Sequence, residues 1–218
     1  MTAGESSGAA LTTTTTGSAP WLGRWIAVVT LGETVGFAAP ALVGAAFSDS
    51  PALVPLLLGA GAVEGAVLAT AQLVVLRRLL PSIRPWVWVA VTAAGAVAAY
   101  VIGMVPSTLA PVWSTWPWPA RALMFVVLGA ALLSTIGGAQ WLELRRLVRG
   151  AGWWVGGTAA AWLVGLAIFL LVAMPLWHEG QSVAVAVAIG LGAGVLMALA
   201  MSTVTGLTLA ALLRRQHV

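Results

Sequence analysis

Six long apolar runs separated by short polar breaks dominate the chain. They lie at about residues 22–46, 53–77, 86–106, 120–144, 153–176 and 183–213. A helix needs roughly 20 residues to cross the ~30 Å hydrocarbon core of a bilayer, and every run meets that length. Within lipid each backbone N–H and C=O must be bonded inside its own segment, so such runs are helices rather than strands. The predicted fold class is all-α: a polytopic transmembrane bundle of six helices over residues 20–218. Residues 1–19 break the pattern, being small and polar with a tract of threonines at 12–16. They bury too little apolar surface to offset the entropy of ordering, and a disordered cytoplasmic tail is expected there. They do not read as a signal peptide, because the first arginine is Arg24 and the apolar run behind it is too long.

Arginine placement orients the spans. Arg24 precedes the first, and Arg77, Arg78 and Arg84 lie between the second and third. Arg145, Arg146 and Arg149 lie between the fourth and fifth, and Arg214 and Arg215 follow the sixth. The breaks at 48–52, 107–119 and 177–182 contain no arginine, and only Arg121 departs from the alternation. By the positive-inside rule both termini are cytoplasmic. Trp21, Trp25, Trp86, Trp88, Trp141, Trp153 and Trp154 are then expected to form an inner interfacial belt. Trp113, Trp116, Trp118 and Trp177 would form an outer one. The Pro- and Trp-rich break 106–119 is the longest connection and is expected to lie on the outer leaflet.

The even-numbered spans end alike: Gln72-Leu-Val-Val-Leu-Arg77-Arg78, Gln140-Trp-Leu-Glu-Leu-Arg145-Arg146 and Leu209-Ala-Ala-Leu-Leu-Arg214-Arg215. Setting the arginine pairs in register also aligns Gly61 with Gly129 and Gly137 with Gly206. The odd-numbered spans open with tryptophans: Trp86 and Trp88, Trp153 and Trp154, and, more loosely, Trp21 and Trp25. The expectation is three parallel two-helix repeats related by an axis along the membrane normal. In this the chain resembles a group of bacterial, actinobacterial-type multi-pass membrane proteins with repeated Gln-Trp-…-Leu-Arg-Arg hairpins. Gly137-Gly-Ala-Gln-Trp-Leu-Glu-Leu-Arg-Arg146 followed by Trp153-Trp154 is the clearest copy, and the third copy departs from it at Leu209. The resemblance covers most of residues 20–215 and implies a place in the bacterial cytoplasmic (inner) membrane; it supplies no activity.

Composition narrows the function classes. Hydrophobic residues make up 61% and charged residues 7% of the chain, against roughly 25% charged in a soluble domain, so the outer surface faces lipid. There is no cysteine, which removes disulfides, thiol nucleophiles and thiolate metal sites. The formal charge of +4 comes from arginines at span ends. That arrangement suits topology and anionic head groups rather than nucleic acid, and Arg77, Arg78, Arg145, Arg146, Arg214 and Arg215 are read that way. No cofactor or metal is expected: His178 and His217 lie outside the spans and have no matched partner.

Two acidic residues stand out. Glu33 and Glu64 lie near the centres of the first and second spans, at similar depth, in the small-residue frames Gly32-Glu-Thr-Val-Gly36 and Gly61-Ala-Val-Glu-Gly65. Such frames let helices approach closely, and a short loop makes these two spans neighbours. The carboxyls are therefore expected on or beside one tight interface. An ionised carboxylate at mid-bilayer costs at least ~2.5–3.5 kcal/mol, and two close together cost more, so at least one is expected to be protonated. The positions matching Glu64 are Leu132 and Met201, and those matching Glu33 are alanine in the third span and alanine or tryptophan in the fifth. The carboxyls thus belong to one hairpin only, which points to a proton or cation site. The competing structural role is a pair of neutral acids bonded to carbonyls or to Thr30, Thr34 or Thr70. Thr34, Thr70, Gln72 and Gln140 are candidate polar residues of a cavity, and the two glutamines alternatively bond to each other between repeats. The remaining acids, Glu5, Asp49, Glu143 and Glu179, lie in the tail, in loops or beside arginines, and call for no special role.

Three functions follow. The first is a small transporter or ion-conducting protein using Glu33 and Glu64. The second is a non-catalytic scaffold or accessory subunit packing through Gly-rich faces such as Gly190-Leu-Gly-Ala-Gly194, against a copy of itself or a partner membrane subunit. The third, a lipid-processing enzyme, lacks an Asp-rich metal motif and a Ser/His pair within the spans, so the chain is read as a non-enzyme.

Overall fold

The computed structural model describes residues 20–216; the tail 1–19 and residues 217–218, His217 among them, lie outside the described residues. The described chain is all-helical. The helices are α1 (Pro20–Phe47), α2 (Leu53–Leu79), α3 (Pro85–Thr108), the short α4 (Ala110–Trp113), α5 (Trp118–Leu144), α6 (Gly152–Leu176) and α7 (Val183–Arg214). Six of them, all but α4, are long and apolar enough to cross a membrane. With large side chains such as Leu42, Leu123, Val126, Leu171 and Val183 turned outward, the exterior suits lipid, and the protein is an integral membrane protein of multi-pass type.

Local chemistry sets the ends. Proline occupies the first turn of α3 and α5, where no backbone donor is lost. Ser182 caps α7, its hydroxyl accepting from the Val185 amide. Gly150 and Gly180, in the turns before α6 and α7, have φ of 73° and 81°, a left-handed backbone open to glycine at little cost.

The long helices form a closed ring. Each packs chiefly on its neighbours in the chain, and α7 returns to α1. The start of α1 and the end of α7 therefore meet, with Leu22 and Trp25 against Gly206. Nine of the ten arginines gather at this end of the ring, and Arg121, at the start of α5, is at the other.

Close approach between helices relies on glycine, because a Cβ would strike backbone or ring. At Gly65 it would lie 2.8 Å from Ala93 Cα, at Gly95 2.9 Å from Ile136 Cα, and at Gly137 3.1 Å from Val155 Cα. The two glycine frames around the carboxyls divide their work, contrary to expectation. Gly32 and Gly36 pack on α2, at Ala71 and Glu64, whereas Gly61 and Gly65 pack on α3, at Tyr100 and Ala93. They serve two successive seams of the ring rather than one shared interface.

Candidate functional site: a central cavity with two carboxyls

The arginine end of the ring is plugged. Trp25, Trp88 and Trp154, from the first two turns of α1, α3 and α6, are each 0% exposed. Trp154 packs against both others, with ring centroids 6.3 and 6.5 Å away. Burying an indole requires a partner for its N–H, and each finds one on the preceding helix of the ring. Trp88 donates to Gln72 Oε1 at 3.1 Å, Trp154 to Gln140 Oε1 at 2.8 Å, and Trp25 to Thr205 Oγ1 at 3.2 Å. Where the third hairpin has Leu209 instead of glutamine, Thr205 one turn earlier supplies the acceptor, and Leu209 packs among the tryptophans. Gln140 Nε2 also donates to Gln72 Oε1 (2.9 Å) and Thr92 Oγ1 (3.1 Å), tying α5, α2 and α3 together.

Two expectations change here. Trp25, Trp88 and Trp154 are core residues and not belt residues, because a polar acceptor on the preceding helix of the ring draws each indole inward. Trp86 and Trp153, 73% and 66% exposed, are left to the surface. Gln72 and Gln140 are buried in this closed network and do not line an open vestibule; they bond to each other across helices, the alternative the sequence offered.

Beyond the plug, toward the other end, the ring encloses a cavity of about 470 Å³ with walls from all six long helices. Glu33 of α1 and Glu64 of α2 both line it. The positions equivalent to Glu33 by distance from the plug tryptophans, Ala96 and Trp162, also face it, as does Leu132, the counterpart of Glu64. The cavity is otherwise apolar, with Leu57, Leu68, Leu166, Phe169 and Met197 in its wall.

The two acids differ in environment. Glu64 Oε2 accepts the Tyr100 hydroxyl at 2.8 Å. Glu33 is 3% exposed, and neither of its oxygens has a hydrogen-bond partner among the described residues. A second void of about 20 Å³, the size of one water, lies between Glu33 and the plug, edged by Gln72, Ser202 and the unpartnered hydroxyl of Thr158. A carboxyl in this setting can exchange a proton or hold a positive charge, since no neighbouring donor already satisfies it.

The threonines do not serve the acids. Thr70 is exposed in an outward groove between α1 and α2 and donates to the Ala66 carbonyl. It is not a cavity residue: its position on α2 points it away from the ring's axis. Thr34 donates to the Thr30 carbonyl and lines a separate cleft between α1 and α7, while the Thr30 hydroxyl pairs with Ser202. The arginine pairs are exposed at the ring's end, with Arg145 over Trp141 and Arg215 over Trp153.

Three side chains of consequence were not singled out in the sequence. Tyr100 is the chain's one tyrosine, mid-helix in α3, and that isolation was a usable signal. Trp162 is the one tryptophan in the middle of a span. Glu143, 1% exposed, receives the Arg84 amide and Nε at 3.1 Å, the Arg84 terminal nitrogen, and Arg146 at 3.5 Å. Its carboxylate caps α3 and locks the second hairpin to the α2–α3 turn. No metal-binding group of three or more His, Asp or Glu exists among the described residues.

Compared with protein-family models, with curated proteins and with solved structures, the chain matches none.

Proposed function

We propose that the protein is a small membrane transporter whose central carboxyls, Glu33 and Glu64, form a proton- or cation-binding site. The observation that carries this is Glu33 itself: a carboxyl in the wall of a mid-membrane cavity, with neither oxygen bonded. Buried polar groups are almost always satisfied; leaving this one without a protein partner costs stability, which fits a group kept for a ligand rather than for packing. The plug at the arginine end favours a carrier over a continuous pore. By the positive-inside rule the plugged end faces the cytoplasm of a bacterial cell and the cavity lies toward the outer leaflet.

The test is carbodiimide labelling of protein in lipid nanodiscs as pH is varied, read by peptide mass spectrometry. The reagent attacks protonated carboxyls in apolar surroundings. The groups facing Glu33 are Glu64 and, behind it, Tyr100; the α6 and α7 walls present no charge. Labelling of Glu33 that falls as pH rises, and that vanishes in Glu33→Gln, is the expected result. A folded protein unlabelled at every pH would sink the proposal. It would then favour the scaffold reading, for which the exposed Gly192, with open space where a Cβ would stand, leaves α7 open to close approach.

A further inference from the structure

A second hollow lies beside the central cavity. At the end away from the arginines α1 and α7 part, leaving a cleft of about 520 Å³ between them, backed by α6. Its walls are mostly apolar, including Ala41 and Ala45 of α1, Trp177 just after α6, and Val187 and Gly190 of α7, with Thr34 and Gln181 as the polar members. The helices touch nearer the plug instead, where Thr30 meets Ser202 and Trp25 meets Thr205. The cleft and the central cavity share two wall residues, Phe37 and Phe169. These rings form an edge-to-face pair with centroids 6.2 Å apart, the partition between the two spaces. Pro40, one turn beyond Phe37, removes a backbone hydrogen bond from α1 at the level of the cleft.

Resting on the reading of Glu33 and Glu64 as a cation site, we propose that the occupant is a lipophilic organic cation, entering sideways from the membrane through the α1–α7 cleft past Phe37 and Phe169. Three observations set the class. The wall is broad and apolar, so a hydrated inorganic ion leaves it unmatched, and hard cations want six or more oxygens, which this wall does not gather. The volume falls within the range of small-molecule pockets. The polar features are acidic or aromatic: two carboxyls, with the rings of Trp162, Tyr100 and Phe169 in the same wall, the side-chain types that attract an organic cation. An amphiphile of this kind partitions into the bilayer, and the cleft opens there.

The experiment uses tetraphenylphosphonium as probe, with the full chain in nanodiscs at pH 8 and empty nanodiscs as background. Two readouts are taken: saturable binding by equilibrium dialysis, and protection of Glu33 from carbodiimide. Wild-type protein should bind the probe saturably and lose at least tenfold of its Glu33 labelling; Glu33→Gln should weaken binding at least tenfold. The protection arm needs no variant, so a folding defect in Glu33→Gln leaves the inference testable. The route is tested separately, because the chain has no cysteine. A bulky maleimide on Ala41→Cys, in the cleft, should slow the onset of Glu33 protection after probe addition at least tenfold, whereas the same label on Val126→Cys, on the lipid face of α5, should not. Labelling that titrates with pH but is unprotected by the probe, or protected by sodium instead, overturns this inference and leaves the carboxyl site standing. Absence of both labelling and binding overturns the two together. An unchanged onset of protection with Ala41→Cys blocked overturns the lateral route.

Discussion

Glu33 and Glu64 share a depth and a cavity but not an energetic position. Glu64 has the Tyr100 hydroxyl, whereas Glu33 has no partner. Tyr100→Phe leaves Glu64 unbonded and should lower stability by about 1–3 kcal/mol in chemical denaturation. Glu33→Leu removes a buried polar group that bonds to nothing, and should raise stability by a similar ~1–3 kcal/mol while abolishing cation binding. A structural acid behaves the other way, so a Glu33→Leu protein that melts earlier than wild type would argue against a functional carboxyl. The existence and depth of both acids were legible, since a charge-capable residue in a 25-residue apolar run is conspicuous. Their facing directions were not. These helices are apolar around their whole circumference, so hydrophobic periodicity marks no inward stripe.

At the level of the helix and its seams, a glycine's value depends on what stands opposite. Gly65→Ala drives a methyl onto the backbone of α3, 2.8 Å from Ala93 Cα and 2.9 Å from the Thr92 carbonyl. Backbone cannot step aside as a side chain does, and the change should cost about 1–3 kcal/mol by thermal or denaturant unfolding. Gly59→Ala, six residues earlier in the same helix with open space around it, should be neutral or stabilising by up to ~1 kcal/mol. The Gln140 amide makes a different kind of joint, spanning Trp154, Gln72 and Thr92. In membranes a single interhelical hydrogen bond averages only ~0.6 kcal/mol. A Gln72→Leu, Gln140→Leu double-mutant cycle should nevertheless show coupling of at least ~0.5 kcal/mol, because Gln140 Nε2 donates directly to Gln72 Oε1 and either single change leaves the other glutamine without that buried partner. Additive losses would mean the two do not act as one network. The Gln-x4-Arg-Arg spelling and the tryptophan starts were conspicuous in the sequence. Their meaning was not, because an indole near a helix end suits an interface equally well until its acceptor on another helix is known. Register supplies that acceptor: the glutamine near the end of one hairpin meets the tryptophan that opens the next.

Considered whole, the molecule is a ring closed at one end and hollow at mid-depth, and this asymmetry yields an accessibility pattern that neither residue nor seam contains. A carrier caught with its inner side shut must hide its plug from both aqueous phases while leaving its cavity within reach of one. Val75, 1% exposed, sits in the plug cluster with Leu76, Trp88 and Trp154, and Leu57 lies in the cavity wall near the other end. With no native cysteine to confuse the readout, Val75→Cys and Leu57→Cys can each be challenged with a small membrane-impermeant thiol reagent from either face of reconstituted vesicles. Leu57→Cys should react from the face opposite the arginines and be shielded by tetraphenylphosphonium. Val75→Cys should stay unmodified from both faces over the time in which a cysteine at the exposed Gly152 reacts fully. Modification of Val75→Cys from the arginine face, with Leu57→Cys reacting from the other, would mean that water reaches both sides of the tryptophan layer. The layer would then be no seal, and an ion-conducting pore would fit the ring better than a carrier.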